Sequence, residues 1–490
     1  MRESIHKTRR TNYPSACFCL IAANLTQAGL PMTLLIQNGR IITAHDDFVG
    51  DILCEGEVIT QIAPCVVPPD GAQVVDASDK FVFPGFIDPH VHIYLPFMGT
   101  CAKDTHESAS RAALVGGTTS VIEMCCPSRE QEPLAAFELW KSKATNSACD
   151  YSFHMGVSRF DDSTSGQLRE IVNQGIASFK VFLAYKGAFG VSDQELFDTL
   201  SLAKELGVIV TAHCENETLV AALQQRLVGQ GKTGPEWHEP SRPPSVEAAG
   251  VHHLMTFAEL TGAHVYCVHT SCRAALETVQ AAQLRGVNAW VETVIPYLTL
   301  DKTHAELPNF EGAKYVMSPP LRDRGQQAVL WAGLRARMIS TVATDHAPFD
   351  FAGQKEMGRD DFTKIPNGIP SIEERVKLLY TYGVCPGRID LSTLVDCAST
   401  QAAKLFGLYP RKGTIQVGSD ADLVVYDPSY RGKISAQTQQ MAVDYSGYEG
   451  WEIEGRPALV TVRGAIQVRD GQFVGTVGHG QLLTRMPTHY

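Results

Sequence analysis

The chain carries the stretch Phe83-Pro84-Gly85-Phe86-Ile87-Asp88-Pro89-His90-Val91-His92, in which a Pro-Gly corner leads into an apolar run with two histidines at its end. Because alternate residues of a strand point to the same face, His90 and His92 can direct two imidazoles to one point. Imidazole is the commonest metal ligand among side chains. The pair alone is equally compatible with a strand end that has no chemical role, so its meaning depends on the residues that the fold brings near it.

Apolar runs alternate with helical patterns from Gly85 onward, which indicates a parallel sheet with crossover helices. The runs that we interpret as strands are Phe86–His92, Ser120–Cys125, Tyr151–Val157, Ser178–Ala184, Val208–His213, His264–His269, Asn288–Val294 and Thr341–Asp345. Helices are predicted between them at Ser192–Leu206, Val246–Leu260, Ala274–Arg285 and Gly325–Arg337. Eight repeats predict an α/β fold, a (β/α)8 TIM-like barrel over residues 85–408. A doubly wound open sheet is the alternative, but no Gly-rich phosphate fingerprint follows the first strand.

Short alternating runs at both ends of the chain predict a small β-sandwich beside the barrel, with residues 32–84 as its first part and residues 409–475 as its second. Joining the two parts would cover edges that each part leaves unpaired. Asn38-Gly39 between two apolar runs predicts a β-hairpin. Residues 1–31 are expected to be a disordered extension, and residues 476–490 a C-terminal tail without a clear pattern.

Composition excludes several classes of protein. The 490 residues are 44% hydrophobic and 19% charged, which is ordinary for a globular protein. A formal net charge of −11 argues against a nucleic-acid or anionic-membrane partner. The 13 cysteines show no Cys-x-x-Cys spacing, so a reduced, cytoplasmic protein is expected. No apolar run reaches the roughly 18 residues that a membrane-spanning helix needs.

Polar residues stand at or near the ends of five predicted strands, where barrel enzymes place their chemistry. Each has a structural alternative on its own: a hydrogen-bonded core histidine, a helix-capping aspartate or a lysine that extends to the strand end. At matching ends of one barrel they predict a metal centre. Its ligands would be His90, His92, Lys180, His213, His269 and Asp345.

Lys180 is the informative member of this set. Its ammonium would be poorly solvated in an apolar run and repelled by divalent cations. The neutral amine can instead react with carbon dioxide, and the resulting carbamate (N6-carboxylysine) offers two oxygens that bridge two metals. Two divalent ions are therefore expected, most suitably Zn²⁺, although manganese, cobalt or nickel could substitute. Such a pair can hold a bridging hydroxide for which Asp345 acts as general base and then acid, as hydrolysis of an unactivated amide requires.

These segments resemble the dihydropyrimidinase/hydantoinase branch of the amidohydrolase superfamily. The resemblance covers residues from about 32 to 475. It rests on Pro84-Gly85-Phe86-Ile87-Asp88-x-His90-x-His92, Ser178-Phe179-Lys180-Val181-Phe182, His213-x-Glu215-Asn216, Val268-His269-x-Ser271, Ser318-Pro319-Pro320-Leu321-Arg322, Asp345-His346, Gly353-Gln354-Lys355, Asp361-Phe362-Thr363-Lys364-Ile365-Pro366-Asn367-Gly368 and Lys412-Gly413-Thr414-Ile415.

The resemblance implies hydrolysis of dihydropyrimidines (dihydrouracil, dihydrothymine) or 5-substituted hydantoins to N-carbamoyl amino acids, and a homotetramer. One metal would be bound by His90, His92, Lys180 and Asp345, and the other by Lys180, His213 and His269. Tyr185 would hydrogen-bond the substrate carbonyl, and the backbones at Ser318 and Asn367 would hold the cyclic amide edge. An apolar lid formed by Leu95, Phe97, Met98 and the residues after Tyr185 would face the ring substituent.

Three other functions remain open on the same fold. A dihydroorotase would want an arginine two residues after the second histidine, where this chain has Tyr94. An allantoinase or another cyclic imide hydrolase shares the metal plan and ranks second. A non-catalytic, dihydropyrimidinase-like scaffold would have lost metal ligands, whereas all six are present here.

Overall fold

A computed structural model of the protein describes residues 33–488, so the extension predicted for residues 1–31 lies outside the described part. Its centre is a barrel of eight parallel strands that pair in sequence order. They span Phe86–Val91, Thr118–Cys125, Asp150–Gly156, Ser178–Lys186, Ile209–His213, His264–Cys267, Ala289–Val294 and Thr341–Ala343. A bridge between Val91 and His346 joins the segment after the last strand to the first strand. The predicted barrel is therefore confirmed.

The barrel strands form where the sequence has continuous apolar runs, because helices cover the outer face and side chains fill the interior. Every residue of Thr118–Cys125 and of Asp150–Gly156 is buried. The interior contains Ile87, Ile122 and Tyr266. This packing fixes the strand ends, and with them the polar residues that follow.

The α-helices are His106–Val115, Pro133–Lys143, Asp162–Asn173, Asp193–Leu206, Glu217–Gly229, His238–Ser241, Pro244–Thr261, Arg273–Gln283, Ile295–Thr299, Gly325–Arg335, Arg375–Leu379, Leu391–Val395 and Gln401–Leu405. Local signals set their ends: Ser192 and Glu195 form a capping box before one helix, and Gly207 ends it at φ +68°. In residues 33–488, no helix has both the length and the hydrophobicity to cross a membrane.

Both ends of the chain contribute strands to a second, nine-stranded sheet, as the sequence predicts. The strands are Thr33–Ile42, Asp47–Glu55, Val58–Ala63, Gln73–Asp76, Phe81–Pro84, Leu423–Lys433, Glu452–Val462, Ala465–Arg469 and Gln472–Phe473. The two halves meet where Phe81–Pro84 pairs antiparallel with Leu423–Lys433. A two-stranded hairpin, Pro96–Phe97 with Thr100–Cys101, lies apart from both sheets.

The hairpin predicted at Asn38-Gly39 was wrong. One strand, Thr33–Ile42, runs through this pair, and its register with the neighbouring strand shifts between Ile36 and Gly39. Asn38 has φ +60° and donates its N–H to Asp51 Oδ1 at 2.8 Å. A Cβ at Gly39 would lie 2.4 Å from Val82 Cγ2. The pair therefore makes a β-bulge, since an Asn-Gly signal fixes backbone dihedrals but not the chain reversal.

The C-terminal tail has more structure than its sequence indicates. Leu482 forms a bridge with Tyr151, and the Arg485 side chain is fully buried at the N-terminal ends of two barrel strands. Arg485 donates to Ser152 Oγ at 2.8 Å and to Ser178 Oγ at 2.9 Å. The tail therefore closes the end of the barrel opposite the predicted metal centre.

A buried charge cluster joins the barrel to the second sheet. Lys412 Nζ contacts three carboxylates, those of Asp150 at 2.5 Å, Asp422 at 2.8 Å and Asp420 at 3.0 Å. Burial disfavours the charged amine, but the carboxylates outweigh it and raise the pKa of Lys412 above its ordinary value. Arg463 also pairs with Asp150. These acidic groups are thus balanced by cations of the chain itself.

Lys412→Met is expected to lower the free energy of unfolding by about 3–5 kcal/mol, because it removes the cation that contacts three buried carboxylates. Denaturant unfolding measures the change. The matched control is Lys433→Met, which removes an amine that is 66% exposed, and it should cost about 1 kcal/mol or less. Equal effects of the two substitutions would contradict the structural role assigned to the cluster.

Candidate metal centre

The six residues predicted as metal ligands converge at the C-terminal end of the barrel. His90 Nε2 lies 3.3 Å from His92 Nε2, and Asp345 Oδ1 lies 3.2 Å from both atoms. On the other side, His213 Nδ1 lies 3.0 Å from His269 Nε2. One cavity is lined by Lys180 together with His92, His213, His269 and Asp345.

The hydrogen bonds to the far ring nitrogens determine what the near nitrogens can do. His90 Nδ1 is 2.7 Å from Glu292 Oε1, and His213 Nε2 is 2.9 Å from Glu215 Oε2. If these nitrogens donate to the carboxylates, His90 Nε2 and His213 Nδ1 present lone pairs toward the cavity. His90 Nε2 then faces the Asp345 carboxylate oxygen. Two acceptors at this distance repel each other unless a cation lies between them, so the donor set fits a metal ion.

Burial keeps these groups in the form that binds metal. It lowers the pKa values of the His90, His213 and His269 imidazoles, which are therefore neutral. It also raises the pKa of Glu292 to about 8. A nearby positive charge would lower that pKa and favour the ionised carboxylate. The electrostatics of the site therefore favour an added cation.

Lys180 is the most unusual group in the cavity. Its side chain is fully buried, and in the described chain its Nζ has no hydrogen-bond partner. The ring of Phe182 lies 4.8 Å from Nζ. Burial lowers the pKa of Lys180. The structure thus shows a buried amine without the hydrogen bonds that an ammonium requires.

Three residues of the site adopt left-handed backbone conformations, which are uncommon for residues other than glycine: Tyr185 at φ +63°, His269 at φ +40° and Asp345 at φ +52°. Each of their amides is held by a hydrogen bond. Tyr185 N donates to Glu217 Oε2 at 2.7 Å, His269 N to Glu292 Oε1 at 3.0 Å, and Asp345 N to His90 O at 3.0 Å. The surrounding contacts therefore impose the strained geometry that directs these side chains into the cavity.

Sequence reasoning missed the two supporting carboxylates. Glu292 contacts His90, the backbone of His269 and the Tyr266 hydroxyl, the last at 2.8 Å. Glu215 contacts His213 and pairs with Arg242. Burial disfavours the Glu215 carboxylate, but Arg242 and His213 lower its pKa to about 2. An acidic residue within or next to an apolar strand was the available signal, the same kind of signal that identified Lys180.

The residues predicted to bind substrate line the same cavity. Asn367 Nδ2 donates to Ser318 Oγ at 2.9 Å and to the Tyr185 hydroxyl oxygen at 3.4 Å. The cavity also has an apolar wall. Its members are Leu95 and Phe97, as predicted, with Phe182 and Phe189 from the fourth strand and the loop after it. Met98, although described, is not among the lining residues.

Comparisons with known proteins agree with this geometry. The family model described as "Amidohydrolase family" matches residues 81–466. A D-hydantoinase of Geobacillus stearothermophilus is 47% identical over 93% of this chain and 97% of its own length. A dihydropyrimidinase of Dictyostelium discoideum is 37% identical over 93% of this chain and 91% of its own length.

Solved structures give the same result. The structure titled D-hydantoinase (dihydropyrimidinase) from Thermus sp. superposes with a TM-score of 0.92 at 63% identity. The match covers 93% of this chain and 100% of that one. With the barrel, the converging ligands and these relatives in agreement, the chain belongs to the amidohydrolase family, in its hydantoinase and dihydropyrimidinase branch.

Proposed function

We propose that this protein hydrolyses the cyclic amide bond of dihydropyrimidines or 5-substituted hydantoins and releases N-carbamoyl amino acids. One observation supports the proposal above all. The six metal-ligand candidates and the three substrate-binding candidates line or border a single cavity with an apolar wall. A ring that carries an amide edge and an apolar substituent matches such a cavity.

The metal would be held by His90, His92 and Asp345 on one side and by His213 and His269 on the other, with Lys180 between them. A bound divalent ion lowers the pKa of water to about 7 and polarises an amide carbonyl. Nitrogen and oxygen donors of this kind suit zinc, and we propose Zn²⁺ as the metal. Burial opposes ionisation of Asp345, and a bound cation would favour its carboxylate form.

Asp345 would move the proton in both halves of the reaction. Its carboxylate takes a proton from the attacking water as the carbon–oxygen bond forms. It then gives that proton to the ring nitrogen as the carbon–nitrogen bond breaks. Ring and water together give one carboxylic acid and one N-carbamoyl group, and the acid then releases its proton to solvent as the carboxylate forms, so atoms and charge balance.

Tyr185 would stabilise the oxygen on which negative charge develops. Because Asn367 donates to the Tyr185 hydroxyl oxygen, the hydroxyl hydrogen remains available for the substrate carbonyl. Donors directed at developing charge contribute more in a water-excluded site than in water. The backbones at Ser318 and Asn367 would hold the amide edge of the ring in line with this donor.

Lys180 would be carboxylated. A neutral, buried amine is the form that reacts with carbon dioxide, and the carbamate replaces an unsatisfied donor with a bidentate anion. This change supplies the negative charge that two neighbouring cations need. A cytoplasmic homotetramer also remains part of the proposal, and the free thiols among the described cysteines agree with a reducing compartment.

The alternatives are less well supported. Relatives over nearly the whole chain are named D-hydantoinase and dihydropyrimidinase, which does not favour an allantoinase. The retained ligand set argues against a scaffold. The second histidine of the pair is followed two residues later by Tyr94, which argues against a dihydroorotase.

A substrate panel tests the function directly. The zinc-loaded protein is incubated with dihydrouracil, dihydrothymine, a 5-substituted hydantoin, allantoin and succinimide, and the ring-opened carboxylates are quantified by chromatography. We expect the first three to be opened with the highest kcat/KM. The control is Tyr185→Phe, which should lower kcat by about 10²–10³-fold without loss of metal. Failure of the zinc-loaded protein to open any of the rings would contradict the proposal.

Glu292→Gln tests whether the supporting carboxylate tunes the metal ligands. The substitution keeps the side-chain shape but removes the charge that orients His90, and it should weaken metal affinity by about 10–100-fold. Competition with a chromophoric chelator measures the affinity. Glu452→Gln, at a carboxylate that is 84% exposed, is the control. Unchanged affinity in Glu292→Gln would show that this contact does not act on the metal centre.

A further inference from the structure

The motif Gly353-Gln354-Lys355 has no part in the chemistry described so far, yet its side chains reach the loops that form the cavity. Lys355 is fully buried. Its Nζ donates to three backbone carbonyls, those of Pro366 at 2.7 Å, Gly368 at 2.7 Å and Val316 at 3.0 Å. Three backbone acceptors therefore converge on this one amine.

These acceptors lie in the two loops that would hold the amide edge of the substrate. Pro366 and Gly368 are the immediate neighbours of Asn367, and Val316 precedes Ser318 by two residues. The loops also contact each other directly, since Gly368 N donates to Val316 O at 2.9 Å. Because Lys355 binds both loops through their backbones, it determines the distance between the two groups that would hold the ring.

The preceding residue, Gln354, forms hydrogen bonds to a hairpin on a different side of the same cavity. Its Nε2 donates to Thr100 Oγ1 at 2.6 Å and to Cys101 O at 2.8 Å. Those two residues form one strand of the hairpin whose other strand, Pro96–Phe97, carries a ring of the apolar wall. The ring centroid of Phe97 lies 5.3 Å from that of Tyr185, in an edge-on contact. Gln354 thus positions the hairpin that places Phe97 in the apolar wall, the side of the cavity that would face the ring substituent.

We propose that Gln354 and Lys355 are a pair of positioning residues with separate tasks: Lys355 sets the subsite for the amide edge, and Gln354 sets the apolar subsite for the ring substituent. The inference rests on the proposed function, since it assigns these two subsites to a cyclic amide. Misplacement of a bound group by about 1 Å costs about 10²-fold in rate, so loop anchors of this kind control catalysis without touching substrate.

Two substitutions separate the tasks. Lys355→Met should lower kcat/KM about 10²-fold, with a raised KM, for hydantoin and for a 5-phenyl-substituted hydantoin alike, at unchanged metal content. Gln354→Ala should leave hydantoin kinetics near wild type but change the ratio of kcat/KM between the two substrates. The controls are Lys364→Met, at a lysine that is 69% exposed, and Gln437→Ala at an exposed glutamine. Neither control should change KM or the ratio.

Amide hydrogen exchange supplies a readout that does not depend on activity. In Lys355→Met the Gly368 amide, which bonds to Val316 O, should exchange faster. In Gln354→Ala the change should fall instead on the Ala102 amide, which donates to Leu95 O at 2.8 Å in the hairpin region. If Lys355→Met does not fold, Lys355→Arg replaces it, since a planar guanidinium cannot converge on the same three carbonyls.

Wild-type KM and wild-type Gly368 exchange in the folded Lys355 variant would overturn the inference, as would an equal effect of both substitutions on both substrates. A lower melting temperature with unchanged KM and ratio would assign the pair to stability alone and would also overturn it. Failure of the wild-type protein to open any ring would instead refute the proposed function, and the exchange measurement would still decide whether the loops are anchored as described.

Discussion

The site is organised around hydrogen-bond acceptors, imidazole nitrogens and a carboxylate oxygen, that face one another at the C-terminal end of the barrel. His90 and His213 each have a glutamate side chain behind them, and if their far nitrogens donate to it, their near nitrogens present lone pairs to an enclosed space that also contains a carboxylate oxygen. Without a cation these groups would be arranged unfavourably. The buried Lys180 amine lies in the same cavity and has no hydrogen-bond partner in the described chain.

The rest of the fold holds this arrangement in place. Left-handed backbone conformations at Tyr185, His269 and Asp345 cost free energy, and each is maintained by a hydrogen bond from a different part of the barrel. At the opposite end, the C-terminal tail buries Arg485 against the starts of two strands. Such rigidity suits a reaction in which the attacking water, the carbonyl and the departing nitrogen must be aligned before bond breaking begins.

The barrel and most of the site could be predicted from the sequence because both depend on local signals. Buried parallel strands give apolar runs in the sequence, and a polar residue at the end of such a run, such as His213 or Asp345, is easily recognised. The Asn38-Gly39 bulge was missed because its dihedrals also suit a hairpin turn, and only the neighbouring strand distinguishes the two. Arg485 could not be assigned because the two serines to which it donates lie more than 300 positions away. Glu292 carried a usable signal, an acid within an apolar strand, that went unused.

X-ray diffraction from crystals of the zinc-loaded protein, with anomalous data at the zinc edge, tests the metal centre most directly. We predict two anomalous peaks, one beside His90, His92 and Asp345 and one beside His213 and His269, with density for a carboxyl group on Lys180 Nζ between them. A single peak, or an unmodified Lys180 in crystals of an active preparation, would contradict the proposed two-metal centre and its bridging carbamate.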